Sequence, residues 1–141
     1  MACPFFYPTH RLEPSGGAVR APLLDPCDGW CGASAAGERP EESILRECCN
    51  MGYARGRCSR FPSDCEVDAV RLSLVEERPG VLQLRYVLER DCSPVEFGDI
   101  EYQPQTECFT AGIAPPAVRV QAAIWAASYE RRRVSGRAAS R

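Results

Sequence analysis

Nine cysteines in a chain of 141 residues, against a single histidine, are the residues with the most chemistry to offer. In order they are Cys3, Cys27, Cys31, Cys48, Cys49, Cys58, Cys65, Cys92 and Cys108. An odd number of thiols cannot all pair internally. The opening residues Met-Ala-Cys-Pro-Phe-Phe-Tyr-Pro-Thr-His also lack the basic stretch and apolar run of a secretory signal. The expectation is a cytoplasmic chain whose thiols serve a metal or redox centre rather than a disulfide framework. No two cysteines have C-x2-C spacing, and a lone His10 leaves no Cys2His2 set, so zinc knuckles and fingers do not match. A four-cysteine zinc site of irregular spacing stays open. So does a [4Fe–4S] cluster, whose four thiolates can come from well-separated loops.

A second chemistry is written in residues 49–55, Cys-Asn-Met-Gly-Tyr-Ala-Arg, which fit C-x-x-G-x-x-R, the phosphate-cradling loop of cysteine phosphatases. There a thiolate of lowered pKa attacks phosphorus while backbone N–H groups and the arginine hold the oxygens. The same cysteine-to-arginine spacing recurs by chance at Cys65 and Arg71, and the residues before Cys49 read as a polar helix rather than a buried strand. A cysteine-nucleophile enzyme therefore ranks third, and the balance lies with a protein that is not an enzyme. His10 reads as solvent-exposed, and Glu41/Glu42 and Glu76/Glu77 as a helix start and a turn flank. All 17 basic residues are arginine, and the net charge is −2, which argues against nucleic acid as the partner of the whole chain. No apolar run is long enough to span a membrane.

The elements that must position these residues divide the chain by composition within a single α+β domain. Residues 1–66 hold seven of the cysteines among prolines and glycines, a loop-rich part that needs an internal staple. One short helix is expected at residues 41–49, after Pro40 and ended by Gly52, with Ile44, Leu45 and Cys48 on one face. Residues 67–134 form a small antiparallel sheet of about three strands and a C-terminal helix packed on it. The strands are placed at 67–75, 81–89 and 98–102, joined first by a type II turn at Pro79-Gly80 and then broken at Cys92-Ser93-Pro94. The helix is placed at 118–132 after Pro115-Pro116, with Arg131, Arg132 and Arg133 at its C-terminal end and 135–141 as a basic tail. Phe5, Phe6, Tyr7, Trp30, Tyr53 and Phe61 could shield a metal centre from water. Arg55, Arg57 and Arg60 around Cys58 could offset its negative charge.

The pattern Cys3-Pro4-Phe5-Phe6, a following lone cysteine, Cys49-Asn50-Met51-Gly52-Tyr53-Ala54-Arg55, and Cys58 with Phe61-Pro62 resembles a small family of uncharacterised bacterial proteins with iron–sulfur-like cysteine motifs. The likeness extends to Asp68-Ala69-Val70-Arg71 and Ser93-Pro94-Val95-Glu96, covers most of residues 1–102, and brings no established activity with it. It implies that Cys3, Cys31, Cys49 and Cys58 are the cysteines that bind the cofactor and its metal. Cys27 is near enough to substitute for Cys31. On this likeness Cys27, Cys48, Cys65, Cys92 and Cys108 are bystanders, and of the adjacent Cys48 and Cys49 only one should ligate. The function expected is a small iron–sulfur protein, with a [4Fe–4S] cluster in electron transfer or in a redox-sensing or accessory role, working with a redox or protein partner. The runner-up is a non-catalytic, zinc-stabilised protein-interaction module.

Overall fold

The computed structural model describes residues 1–13, 23 and 25–139. In chain order the elements are β1 (Phe6–Arg11), β2 (Cys27–Cys31), α1 (Glu42–Ile44), β3 (Ala69–Arg78), β4 (Val81–Arg90), β5 (Ser93–Gln103), β6 (Cys108–Ala111) and α2 (Pro116–Ala139). β1 and β2 pair antiparallel as a two-stranded sheet, and β3-β4-β5-β6 form a four-stranded antiparallel meander. The chain is thus α+β, with two sheets and a long C-terminal helix. No helix among the described residues is long and apolar enough to cross a membrane.

The alternation in β3 and β4 sets the core. Val70, Leu72, Leu82, Leu84, Tyr86 and Leu88 are buried, while Arg71, Ser73 and Arg85 face solvent. Proline and glycine at 79–80 close the first hairpin, with Gly80 at φ +75° as a type II turn demands. Two features of the sheet depart from expectation. It has four strands rather than three, and β5 begins at Ser93 instead of after a break there. The residues that turn the chain are Asp91 and Cys92, both at positive φ (49° and 62°), the backbone signature of a two-residue type I′ hairpin without its usual glycine. Pro94 is accommodated because the β4–β5 register shifts beside it, between Leu88 and Glu89.

α2 is also longer than its reading. It runs through Ala139, so the residues placed in a tail from 135 are helical as far as they are described. Arg131, Arg132 and Arg133 consequently sit inside the helix, where they form ion pairs. Arg131 and Arg132 meet Asp25 at 2.9 and 3.2 Å, and Arg133 meets Glu77 and Glu130. Val118, Ala122, Trp125 and Ala126 of α2 join the sheet residues in one core. That core also contains Ala2, Cys3, Phe6, Leu23, Cys27, Leu45 and Cys49, so the cysteine-rich half shares it rather than standing apart. α2 packs chiefly on β1 and more lightly on β3 and β4.

The helix at residues 41–49 forms, but it widens. Only Glu42–Ile44 is α-helical, and Leu45–Cys49 makes a π-helical turn closed by the bond from Asn50 N–H to the Leu45 carbonyl, 2.9 Å. Leu45 and Cys48 are buried and Ile44 partly so, as their common face requires. Asn50, the only asparagine, is 1% exposed and fastens this turn to β2. Its Nδ2 donates to the carbonyls of Cys27 and Leu45, and its Oδ1 accepts from the Cys27 N–H, each at 2.8 Å. Substituting Asn50→Ala withdraws partners from the buried Cys27 peptide groups and is expected to cost about 3 kcal/mol in urea unfolding. A loss below ~1 kcal/mol would mean that this clamp is dispensable.

Candidate metal centre

Cys3 is placed by backbone bonds on two sides. Ala2 pairs with Val70 at the edge of β3 through bonds of 2.9 and 2.8 Å, and the Cys3 N–H donates to the Cys49 carbonyl at 2.9 Å. From the other side Gln121, 0% exposed, donates through Nε2 to the carbonyls of Cys3 (2.8 Å) and Phe6 (2.9 Å), so α2 holds the Cys3–Phe6 turn from below. Cys31 ends β2, its N–H bonded to the Glu38 carbonyl, while the next residue, Gly32, donates to the Phe5 carbonyl. Upstream in β2, Gly29 lies so close to β1 that a Cβ would come within 2.2 Å of the Tyr7 carbonyl oxygen. Cys49 closes the π-helical turn, and Gly52 after it turns the chain at φ +74° beneath Met1 and Ala2, where a Cβ would meet the Met1 carbonyl at 2.7 Å. Cys58 follows in a turn closed on the Ala54 carbonyl.

These four segments bring Cys3, Cys31, Cys49 and Cys58 to the lining of one cavity, together with Cys48, Phe5, Phe6 and Phe61. The lining exposes no polar surface, and the free space within it is about 20 Å³, roughly what one water occupies. Cys3, Cys31, Cys48 and Cys49 are buried and Cys58 is half-buried. Phe5 meets Phe61 edge to face at 5.6 Å, a hydrophobic wall on one side. Arg60 contributes the cavity's one charged side chain and is paired with Glu38 at 3.3 Å. Among the described residues, no group of three or more His, Cys, Asp or Glu side chains is set to hold a metal ion.

Burial raises the affinity of Cys3, Cys48 and Cys49 for their protons. It pushes Cys3 and Cys49 up to about 12, and in both the neighbouring cysteines add to the effect, because a second thiolate in the same dry space repels the first. Burial raises Cys48 as well, while the Arg57 guanidinium pulls it the other way. Cys3 and Cys49 are thus held as neutral thiols. A multivalent metal centre would reverse this, since bound metal deprotonates coordinating thiols outright.

The other cysteines lie elsewhere. Cys27, read as interchangeable with Cys31, does not line the cavity; it is 0% exposed, and its thiol donates to the Asp25 carbonyl. In a strand, residues four apart share a face but stand about 13 Å apart along it, so only Cys31 reaches the cavity end of β2. Cys65 is half-buried on the Val67 carbonyl, and Cys92 and Cys108 are exposed. Cys48, read as a core filler, lines the cavity after all, and nothing in its spacing announced this.

The flanking residues sort in the same way. Of the six aromatics, Phe5, Phe6 and Phe61 face the cavity. Tyr7 and Trp30 instead stack on each other at 4.0 Å, and Tyr53 donates to Glu89. Arg55 is committed elsewhere, to Asp68 at 2.8 Å and to the carbonyls of Ser63 and Cys65, with its guanidinium over Phe61. A phosphatase loop needs that arginine on the phosphate and a thiolate beside it, whereas Cys49 is pushed toward its neutral form. His10 is exposed, as its sequence setting suggested.

Two outcomes follow. In the metal-free folded protein at pH 8, an aromatic disulfide reagent should label Cys92 and Cys108 promptly and leave Cys3 and Cys49 unlabelled until unfolding, as peptide mapping will show. Early labelling of Cys49 would overturn the dry-pocket description. Asp68 anchors the segment after Cys49. Burial opposes its charge, but the Asp91 N–H and Arg55 outweigh burial and hold the carboxyl below its usual range. Its stabilising effect is therefore complete above the unfolded value near ~3.9 and disappears as pH falls through the lower folded value. The stability gap between the wild type and Asp68→Asn should close as pH drops from about 5 to about 2.

No protein-family model matches this chain, and neither does any curated protein or solved structure.

Proposed function

We propose that this chain is a small iron–sulfur protein that binds a [4Fe–4S] cluster through Cys3, Cys31, Cys49 and Cys58 and serves in electron transfer or in a redox-sensing or accessory role. The observation that carries the reading is the meeting of those four cysteines, from four separate segments, around one apolar cavity. A bound cluster supplies a one-electron couple whose potential is set by burial and by hydrogen bonds to sulfur. The chain's own part is to deliver four thiolates, exclude water with Phe5, Phe6 and Phe61, and place Arg60 at the rim, where a cation offsets the negative charge of the thiolates. A cluster needs more room than the metal-free cavity offers. Cys58, on a turn and the least buried of the set, is the ligand best able to yield it. The same rim is where a redox partner would approach.

One observation favours the runner-up, a zinc-stabilised interaction module: a free space of about 20 Å³ suits a single ion better than a cubane. Protein purified without oxygen decides between them. The cluster reading expects a brown protein with absorption near ~400 nm and about four irons and four sulfides per chain. Cys3→Ala and Cys49→Ala should lose the metal, and Cys108→Ala should keep it. A colourless protein with one zinc per chain would establish the runner-up instead.

A further inference from the structure

We propose that the outward face of α2 is a self-association surface, on which a second copy of this chain lays its own α2 antiparallel about a two-fold axis. Val118, Ala122, Trp125 and Ala126 turn one side of this helix into the core. At about 100° per residue, Pro116, Val120, Ala123, Ala127 and Val134, spaced by four, three, four and seven, share the other side. A seam of this spacing is what one helix offers to another. None of the five is buried, and Val134 is 64% exposed. Along the first half of the seam runs an open groove of about 620 Å³, walled by Pro8, Phe109, Ala114 and Ile124, with Arg119 as its one charged residue.

Arg119 decides what covers this face. Its guanidinium lies over the Phe109 ring at 4.7 Å and forms no ion pair among the described residues, and no Asp or Glu lies outside them. The other arginines of β3, β4 and α2 with described side chains all pair with carboxylates. A lone cation beside an apolar groove is complemented by a carboxylate from another molecule. α2 itself carries one at the matching place. Glu130 follows Arg119 by eleven residues, about 16 Å, and falls on the same flank of the seam. In an antiparallel helix pair like flanks meet. A two-fold axis crossing α2 midway, at Ile124 and Trp125, therefore sets Arg119 of each copy against Glu130 of the other and closes both pairs at once. A parallel pair would set Arg119 against Arg119. The same operation brings Val134 of the second copy to the groove beside Pro116. Arg133, which meets Glu130 at 3.1 Å, keeps Glu77 as a partner. None of these residues lines the cysteine cavity, so the pairing does not rest on the metal-centre reading.

The test is sedimentation equilibrium of the full chain over a range of concentrations, with circular dichroism monitoring the fold of every variant. Wild type should dimerise reversibly. Arg119→Glu and Glu130→Arg should each weaken the dimer at least about tenfold, because each sets like charges together. The exchange Arg119→Glu/Glu130→Arg should return it to within roughly threefold of wild type. Ala123→Glu, which puts a charge on the seam, should leave a monomer. A wild type still monomeric at ~1 mM would overturn the proposal and leave the face to a partner of another kind. A dimer that tolerates both single reversals, or that the exchange fails to restore, would overturn it as well.

Discussion

The fold depends on how the first few residues are held. Ala2 and Cys3 form neither a strand of the main sheet nor a free arm; they are a short bridge clasped by Val70 on one side and by Cys49 on the other, with Gln121 beneath. Each contact uses backbone groups that burial would otherwise leave without water, so the cost of breaking any one is the desolvation of a peptide group rather than a marginal exchange. Through this bridge the sheet, the π-helical turn and α2 share one core. The cysteine cavity lies on the other side of the bridge, between β1, the end of β2, the π-helical turn and the turn carrying Cys58.

A second set of polar contacts steadies the far side of the same turn. Tyr53, at φ 52°, donates to the buried Glu89, which also pairs with Arg71, and Asp68 gathers Arg55 and the Asp91 N–H. These groups fasten the segment after Cys49 to the ends of β3 and β4. Arg55 is therefore structural, and its position in a phosphatase-like spacing reflects an ion pair with Asp68 rather than an anion site. Buried acids satisfied in this way are strongly specified, because removing one partner leaves a charge without compensation.

Much of this was legible in the residues. Leu82, Leu84, Tyr86 and Leu88 alternate with polar neighbours, so β4 and its partners could be read directly, and Pro79-Gly80 located their turn. The β1–β2 pair was not legible, because β1 carries Pro8 and His10, β2 is five residues long, and their pairing is decided by contacts distant in sequence. The hairpin at Asp91-Cys92 hid for a different reason: it takes two positive φ values without a glycine. At the candidate site, motif likeness named Cys3, Cys31, Cys49 and Cys58, which line one cavity together with Cys48, while spacing alone could not separate Cys27 from Cys31. That distinction needed β2 to be a strand. Cys48 was missed because the widened turn that redirects its side chain has no sequence signature of its own.

The bond from Gln121 to the Cys3 carbonyl has a consequence for how the protein is made. Every thiol of the cavity lies within the first 58 residues and leaves the ribosome early, yet the side chain that secures Cys3 from below belongs to the last helix. During synthesis the thiols are therefore available before the cavity exists. The Cys3–Phe6 turn is fastened from below only once Gln121 has been made and α2 has docked.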